Sequence, residues 1–170
     1  MTHHLPLVPE EEIGAALSGK ILNIHRLTAN SPALLSASAD FRNYLVAKSA
    51  LTDRQRELLI LRLAHRLDSD YEWAHHVVRG RKAGLTDDEI GRVKQYPTQN
   101  EWLLDDSIIF EIVDQTVDNT QIDTETAESS IQILGRAGFV DAIFTIGYYI
   151  TLGTLLKTCA VPIESSIPTL

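Results

Sequence analysis

Helix-start signals crowd the middle of this chain and leave little room for a sheet. "TDRQ" at 52–55, "TDDE" at 86–89 and "TQNE" at 98–101 each set a threonine three residues before a glutamine or glutamate. This is the capping box, in which side chains and backbone N–H groups satisfy one another at a helix N-terminus. Ser31 before Pro32 marks another start, because proline's missing N–H does no harm at the first helical position. Behind these starts apolar residues recur at helical spacing, as in "RELLILRLAHRL", and two-residue alternation is nearly absent. Gly84 stands where a left-handed C-terminal cap would close the helix that follows "DSD". The box at 98–101 is expected to open a longer helix carrying Trp102, Ile108, Ile109, Ile112, Val113 and Val117, and a polar turn, "DNTQIDTET", separates that helix from the last helical region. The expectation is an all-α protein of seven or eight helices, one domain over residues 1–170.

A chain of 170 residues buries roughly two-thirds of its unfolded surface and needs no disulfide or metal to hold it. Fifteen Lys plus Arg against 23 Asp plus Glu leave a net charge of −8, which argues against a nucleic-acid partner. The single cysteine, Cys159, has no second thiol for a disulfide or for thioredoxin-like redox work, so a cytoplasmic setting is expected. The first twenty residues contain "EEE" and no cationic start leading into an apolar block, so no secretory signal is expected. The run from Gly138 to Ile163 is almost continuously apolar and long enough to span a bilayer, but Asp141 and four threonines lie inside it. It reads instead as a core helix near 138–159 with one face covered by another subunit, not as a membrane span.

The stretch "DYEWAHHVVRGRKAG", 70–84, gathers chemistry. At about 100° per residue, Glu72, His76, Arg79 and Ala83 share one side of a helix, with His75 and Lys82 beside them, and Trp73 points elsewhere. A solvated polar stripe would look the same. The preceding helix adds a second signal: Glu57 sits at the centre of the apolar arc formed by Ile60, Leu61, Leu63, Ala64 and Leu67. A carboxylate aimed inward must find a partner, take up a proton or line a polar cavity. Its partner could be Arg56 or Arg62, which would make it structural. The two-histidine zinc pattern, the Gly-rich phosphate loop and the nucleophile elbow are all missing, so no metal or organic cofactor is expected.

Residues 51–90, "LTDRQRELLILRLAHRLDSDYEWAHHVVRGRKAGLTDDEI", resemble the carboxymuconolactone decarboxylase family, whose superfamily also contains the alkyl hydroperoxidase D-like (AhpD-like) proteins; a looser echo runs from Ala142 to Glu164. In the peroxidase branch this helix carries C-x-x-C, a histidine four residues after the second cysteine, and a helper glutamate twelve residues before the first. The matching positions here are Ser69, Glu72, His76 and Glu57. Both cysteines are absent, so the branch's thiolate chemistry is lost. Glu72-x-x-x-His76 is similar to the decarboxylase branch. The resemblance implies a compact all-α fold in a homo-oligomer, trimer or hexamer with a dimer possible, and a small organic acid or lactone as the partner molecule.

The activity so implied is cofactor-independent, lyase-type proton transfer with decarboxylation as its main form. His76 would carry the proton, Glu72 and Glu57 would orient it, and Arg79 or Arg56 would bind a substrate carboxylate, with His75 and Trp73 nearby. Two other outcomes stay open: a ligand-binding oligomer without catalysis, and a peroxidase-like activity using Cys159.

Overall fold

The computed structural model describes residues 5–13, 20–98 and 101–168. Among them are eight helices and no strand: α1 (Glu10–Ile13), α2 (Asn23–Thr28), α3 (Pro32–Ala47), α4 (Asp53–Arg66), α5 (Asp70–Lys82), α6 (Asp87–Val93), α7 (Leu104–Asn119) and α8 (Thr124–Thr158).

Helix α4 is the axis of the fold. Its residues from Arg56 to Ala64 are all buried, which a helix achieves only when neighbours surround it. Helices α5, α6, α7 and α8 supply that cover. The expected box starts it: the Thr52 hydroxyl accepts from the Gln55 N–H at 3.2 Å while the Gln55 side chain accepts from the Thr52 N–H at 3.0 Å. At the far end Asp68 turns left-handed, with φ 48°, and the N–H of Ser69 returns to the carbonyl of Ala64. This Schellman closure reverses the chain within three residues and lays α5 beside α4. Gly84 closes α5 in the same way at φ 90°, with the Leu85 N–H bonded to the Gly80 carbonyl.

Toward α7 the packing is ionic. Arg54, Arg62 and Arg66 meet Asp106, Asp114 and Asp118 respectively, at 2.7, 2.7 and 2.5 Å. The constant offset between partners means that the two helices run parallel, with matching side chains in step.

Two local expectations need correction. The Thr86 box opens α6 as expected, but the "TQNE" box does not open α7. Residues 99 and 100 lie outside the described residues, and α7 begins only at Leu104, behind an N-cap Leu103 that offers no side-chain bond. Trp102 supplies the reason. Its ring stands edge-on to Phe110 at 4.9 Å, with the Arg92 guanidinium 5.1 Å from its centroid. Burying an indole outweighs a cap worth about 1 kcal/mol. Ser31 precedes α3 but its hydroxyl makes no cap bond, leaving Pro32 to set the start.

Helix α8 begins on an Asp123 cap and breaks at Gly135, whose φ of 73° no ordinary side chain adopts cheaply. Beyond the break, Asp141 is buried and accepts from the Tyr44 hydroxyl at 2.9 Å and the Ala50 N–H at 2.7 Å, tying α3 and the start of α4 to α8. By length and composition alone α8 could cross a membrane. In this fold one face packs on α4 and α7, while Val140, Ile143 and Phe144 stay exposed.

Candidate active site

The α4–α5 hairpin sets two faces against each other, and its antiparallel course brings the start of α4 to the second half of α5. There Glu57 Oε2 lies 2.6 Å from His76 Nδ1, and Glu72 Oε2 lies 3.5 Å from His76 Nε2. The three are 3%, 6% and 2% exposed. A histidine held between two carboxylates can offer an N–H to each only as the imidazolium. Burial alone would lower the His76 pKa, but the two carboxylates outweigh it and hold the pKa above the ordinary histidine value. Glu57 is the mirror case. Burial pushes its carboxyl up, but the hydrogen bond and charge of His76, with Arg79 and Arg56 behind, carry it below the usual range.

Tyr149 of α8 closes the far side, its ring edge-on to the His76 imidazole at 5.1 Å. Burial foremost, then the Glu72 charge, pushes its phenol well above the ordinary value, so it stays a neutral hydroxyl. Arg79 is half-buried beside them, and among the described residues no side chain hydrogen-bonds or pairs with its guanidinium.

These groups open into a cleft of about 1250 Å³ between α2, α3, α5 and α8. Glu57, Glu72, His75, His76, Arg56 and Arg79 all line it. Arg56 is already engaged, by Asp53 at 2.8 Å and Glu57 at 3.4 Å, while Arg62, the other candidate partner for Glu57, belongs to Asp114. Trp73 is not a lining residue. It packs against the main core under Lys94, whose ammonium sits 4.1 Å from its ring centroid, because its direction on α5 faces away from the cleft.

His75 has a different role from the one expected of a substrate contact. Its Nε2 lies 2.5 Å from Glu164 Oε2, and its ring stacks on Tyr71 at 4.5 Å. The other oxygen of Glu164 accepts from the Tyr71 hydroxyl and the Asn23 N–H. Glu164 thus ties the C-terminal segment to α2 and α5. Burial takes His75 below the ordinary pKa despite that carboxylate, with the Arg79 charge adding to the shift.

Sequence reasoning missed Tyr149, His25 and Arg42, all of which line the cleft. His25 Nε2 lies 2.6 Å from the Arg42 guanidinium. Burial, then the charges of Arg42 and Arg79, lower its pKa to about 4, so it is neutral. Tyr149 lies within the looser echo at 142–164, which was the available signal. His25 and Arg42 come from helices that carry no motif.

Residues 32–94 match the sequence model of the carboxymuconolactone decarboxylase family. Among solved structures, a protein of unknown function from Agrobacterium tumefaciens, proposed as an AhpD antioxidant defence protein, superposes with a TM-score of 0.72. It is 17% identical, and the superposition covers 84% of this chain and 96% of that one. No curated protein matches this chain. The matched segment holds Glu57, Glu72 and His76, and the fold is AhpD-like. The likeness to the family thus covers both helices that carry the site, and the likeness in fold extends over most of the chain.

Proposed function

We propose that the chain is a cofactor-independent, lyase-type enzyme that decarboxylates an unsaturated or cyclic organic acid, or its lactone, by proton transfer. The observation that carries this is the buried Glu57–His76–Glu72 triad opening onto a cleft. The C–C bond to the carboxylate breaks, carbon dioxide leaves, and the electron pair passes through the conjugated system to an acceptor carbonyl oxygen. The His76 Nε2–H then delivers a proton to carbon and is refilled from solvent. Glu57 fixes the ring through Nδ1, and Glu72 steers Nε2. The free Arg79 guanidinium helps most at the acceptor oxygen, where negative charge arrives, because interactions that strengthen along the reaction accelerate it.

The chain acts as a homo-oligomer, trimeric or hexameric, in the cytoplasm. Support for assembly comes from exposed Ile131 and Val140 on α8 and exposed Leu103 and Leu104 at the start of α7. Support for a reducing compartment comes from the lone cysteine.

The test is a panel of β-keto acids and unsaturated lactone carboxylates incubated with the protein in D2O. NMR would follow carbon dioxide release and deuterium arriving at carbon. His76→Gln, which keeps a polar side chain against Glu57, should lower both about 10²- to 10⁴-fold, the usual contribution of a positioned acid. Acids that bind yet neither lose carbon dioxide nor exchange a C–H would establish a ligand-binding protein instead.

A further inference from the structure

The cleft carries more positive charge than the triad requires. Its lining contributes five cationic side chains, Lys20, Arg42, Arg56, Arg79 and Lys82, against three carboxylates, Asp53, Glu57 and Glu72. This is a local excess of the opposite sign to a chain of net charge −8. Two of these cations, Arg42 and Arg79, line the cleft from different helices, and among the described residues neither is paired with a carboxylate. Arg79 of α5 has no hydrogen-bond or ion-pair partner among the described residues. Arg42 of α3 touches only His25 and, at 3.5 Å, the Asn43 side chain. His25 is close enough to feel both guanidinium charges. Each arginine of the α4–α7 ladder, by contrast, is met by at least one aspartate.

The opposite wall is apolar and wet. Phe41 of α3 stands edge-on to Phe144 of α8 at 6.2 Å and to Tyr148 at 5.5 Å. Ile143, Leu152 and Leu155 continue this surface along α8. Phe41 and Phe144 are 36% and 58% exposed. A cleft of about 1250 Å³ lies above the roughly 300–1,000 Å³ of ordinary ligand pockets, so a ten-atom acid would leave most of it filled with water.

We infer that the cleft binds an amphipathic carboxylate, its anionic head between Arg42 and Arg79 and an extended acyl or aryl body on the Phe41–Phe144–Tyr148 wall. This rests on the cleft being the ligand site described above, and it names the substrate class: an acid with a large apolar tail. Both arginines can donate two parallel N–H groups to a carboxylate. The tail supplies affinity by removing aromatic and aliphatic surface from water, with no directional contact required.

The experiment is calorimetric titration of the intact protein with straight-chain carboxylates of four to twelve carbons, each below its micelle concentration, together with the matching alcohols. Affinity should rise about two- to fourfold per methylene, up to the factor that ~0.8 kcal/mol per buried CH2 converts to. Each alcohol should bind about 10- to 100-fold more weakly than its acid, as expected for losing a charge-assisted hydrogen bond. Arg42→Met and Arg79→Met should each erase most of that difference, and Arg81→Met, an exposed α5 residue paired with Asp87, should not. Equal affinity for acid and alcohol would overturn the anion site. Affinity independent of chain length, the result expected if a second copy of the chain covers the aromatic wall, would overturn the amphipathic class. Binding is read here without turnover. Long-chain 3-oxo acids, which carry the acceptor carbonyl that decarboxylation requires, that bind but never lose carbon dioxide would sustain this inference and sink the decarboxylase reading. Turnover of short acids with no chain-length gain would do the reverse.

Discussion

Toward α7, helix α4 sends three arginines, each met by an aspartate; toward α5 it sends one glutamate, met by a histidine that a second glutamate also reaches. Both clusters reach into the interior and both join two helices; α4 supplies three of the six ladder residues and one of the three in the triad. In the α7 ladder every charge is matched. Arg62 places Nε and Nη2 on the two oxygens of Asp114 and gives Nη1 to the Val93 carbonyl, so its fork is saturated. In the α5 cluster, two carboxylates share one imidazole, and the nearby Arg79 has no side-chain partner among the described residues. A matched network needs nothing further, and none of the ladder's residues lines the cleft. An unmatched one facing a cleft is completed by a ligand, which is why burial of charge alone does not distinguish scaffold from site.

The widest separation between the two should come from arginine deletion. Arg62→Met strands Asp114 against a single remaining partner, Arg66, and leaves the Val93 carbonyl without its donor. Urea denaturation should show a loss of about 3–5 kcal/mol, the scale for breaking a buried pair from one side. Arg79→Met removes a cation that holds nothing together, and should move stability by no more than about 0.5 kcal/mol. If the two variants cost the same, Arg79 is structural and the contrast between the clusters fails.

The clusters should also respond differently to pH. Glu57 has its folded pKa lowered, so its contribution is present above its ordinary value near 4.5 and is lost as pH falls through the lower folded pKa. His76 has its folded pKa raised, so its contribution is full below its ordinary 6.5 and is lost as pH rises through the higher folded pKa. The triad is therefore strongest between those limits. Beside the ladder, Arg54 also reaches Glu89 of α6, where burial pushes the carboxyl up but Arg54 and the Thr86 cap hold it down at about 2, and that contribution fades as pH falls from 4.5 toward that value. Glu57→Gln should remove the alkaline limb as well as part of the acid one, because His76 loses the partner that raised it. An NMR titration of the His76 ring should show its pKa below that of the native protein. An unchanged ring pKa would mean that Glu72 alone sets the histidine's charge.

The two clusters were not equally legible in the sequence. Glu57 in an apolar arc and Glu72-x-x-x-His76 on one face were readable because both lie on helices with clean periodicity, joined by three residues. The antiparallel hairpin then followed from chain length alone. The ladder was also written in the sequence, as the spacing of 54, 62 and 66 repeated at 106, 114 and 118, but that repeat has meaning only once the helices are known to run parallel. Before that, Arg62 was as good a partner for Glu57 as Arg56. The Glu164 clamp and the His25–Arg42 pair join segments 89 and 17 residues apart through single contacts that no periodicity encodes. Trp102 shows the opposite failure, a local capping rule overridden by a ring that found a better place.

The smallest effect is expected at Cys159, and it separates thiol chemistry from the proton transfer proposed for the triad. The peroxidase branch needs a thiolate attacking the peroxide and a second thiol to resolve the product, and the chain has one cysteine. Cys159 sits at the C-terminal cap of α8, is buried, and is not among the residues that line the cleft. The positions that would carry the two thiols hold Ser69, which is buried at the start of α5, and Glu72, which is committed to His76. Cys159→Ser should therefore leave decarboxylation and ligand binding unchanged and cost at most about 1 kcal/mol, the scale of a near-isosteric change in a small buried site. Peroxide consumption by the native protein, measured with a dithiol reductant, should match that of the variant. If the native protein consumed peroxide and Cys159→Ser did not, while both stayed folded by circular dichroism, the redox chemistry would lie at the end of α8 and the α4–α5 triad would lose its claim as the active centre.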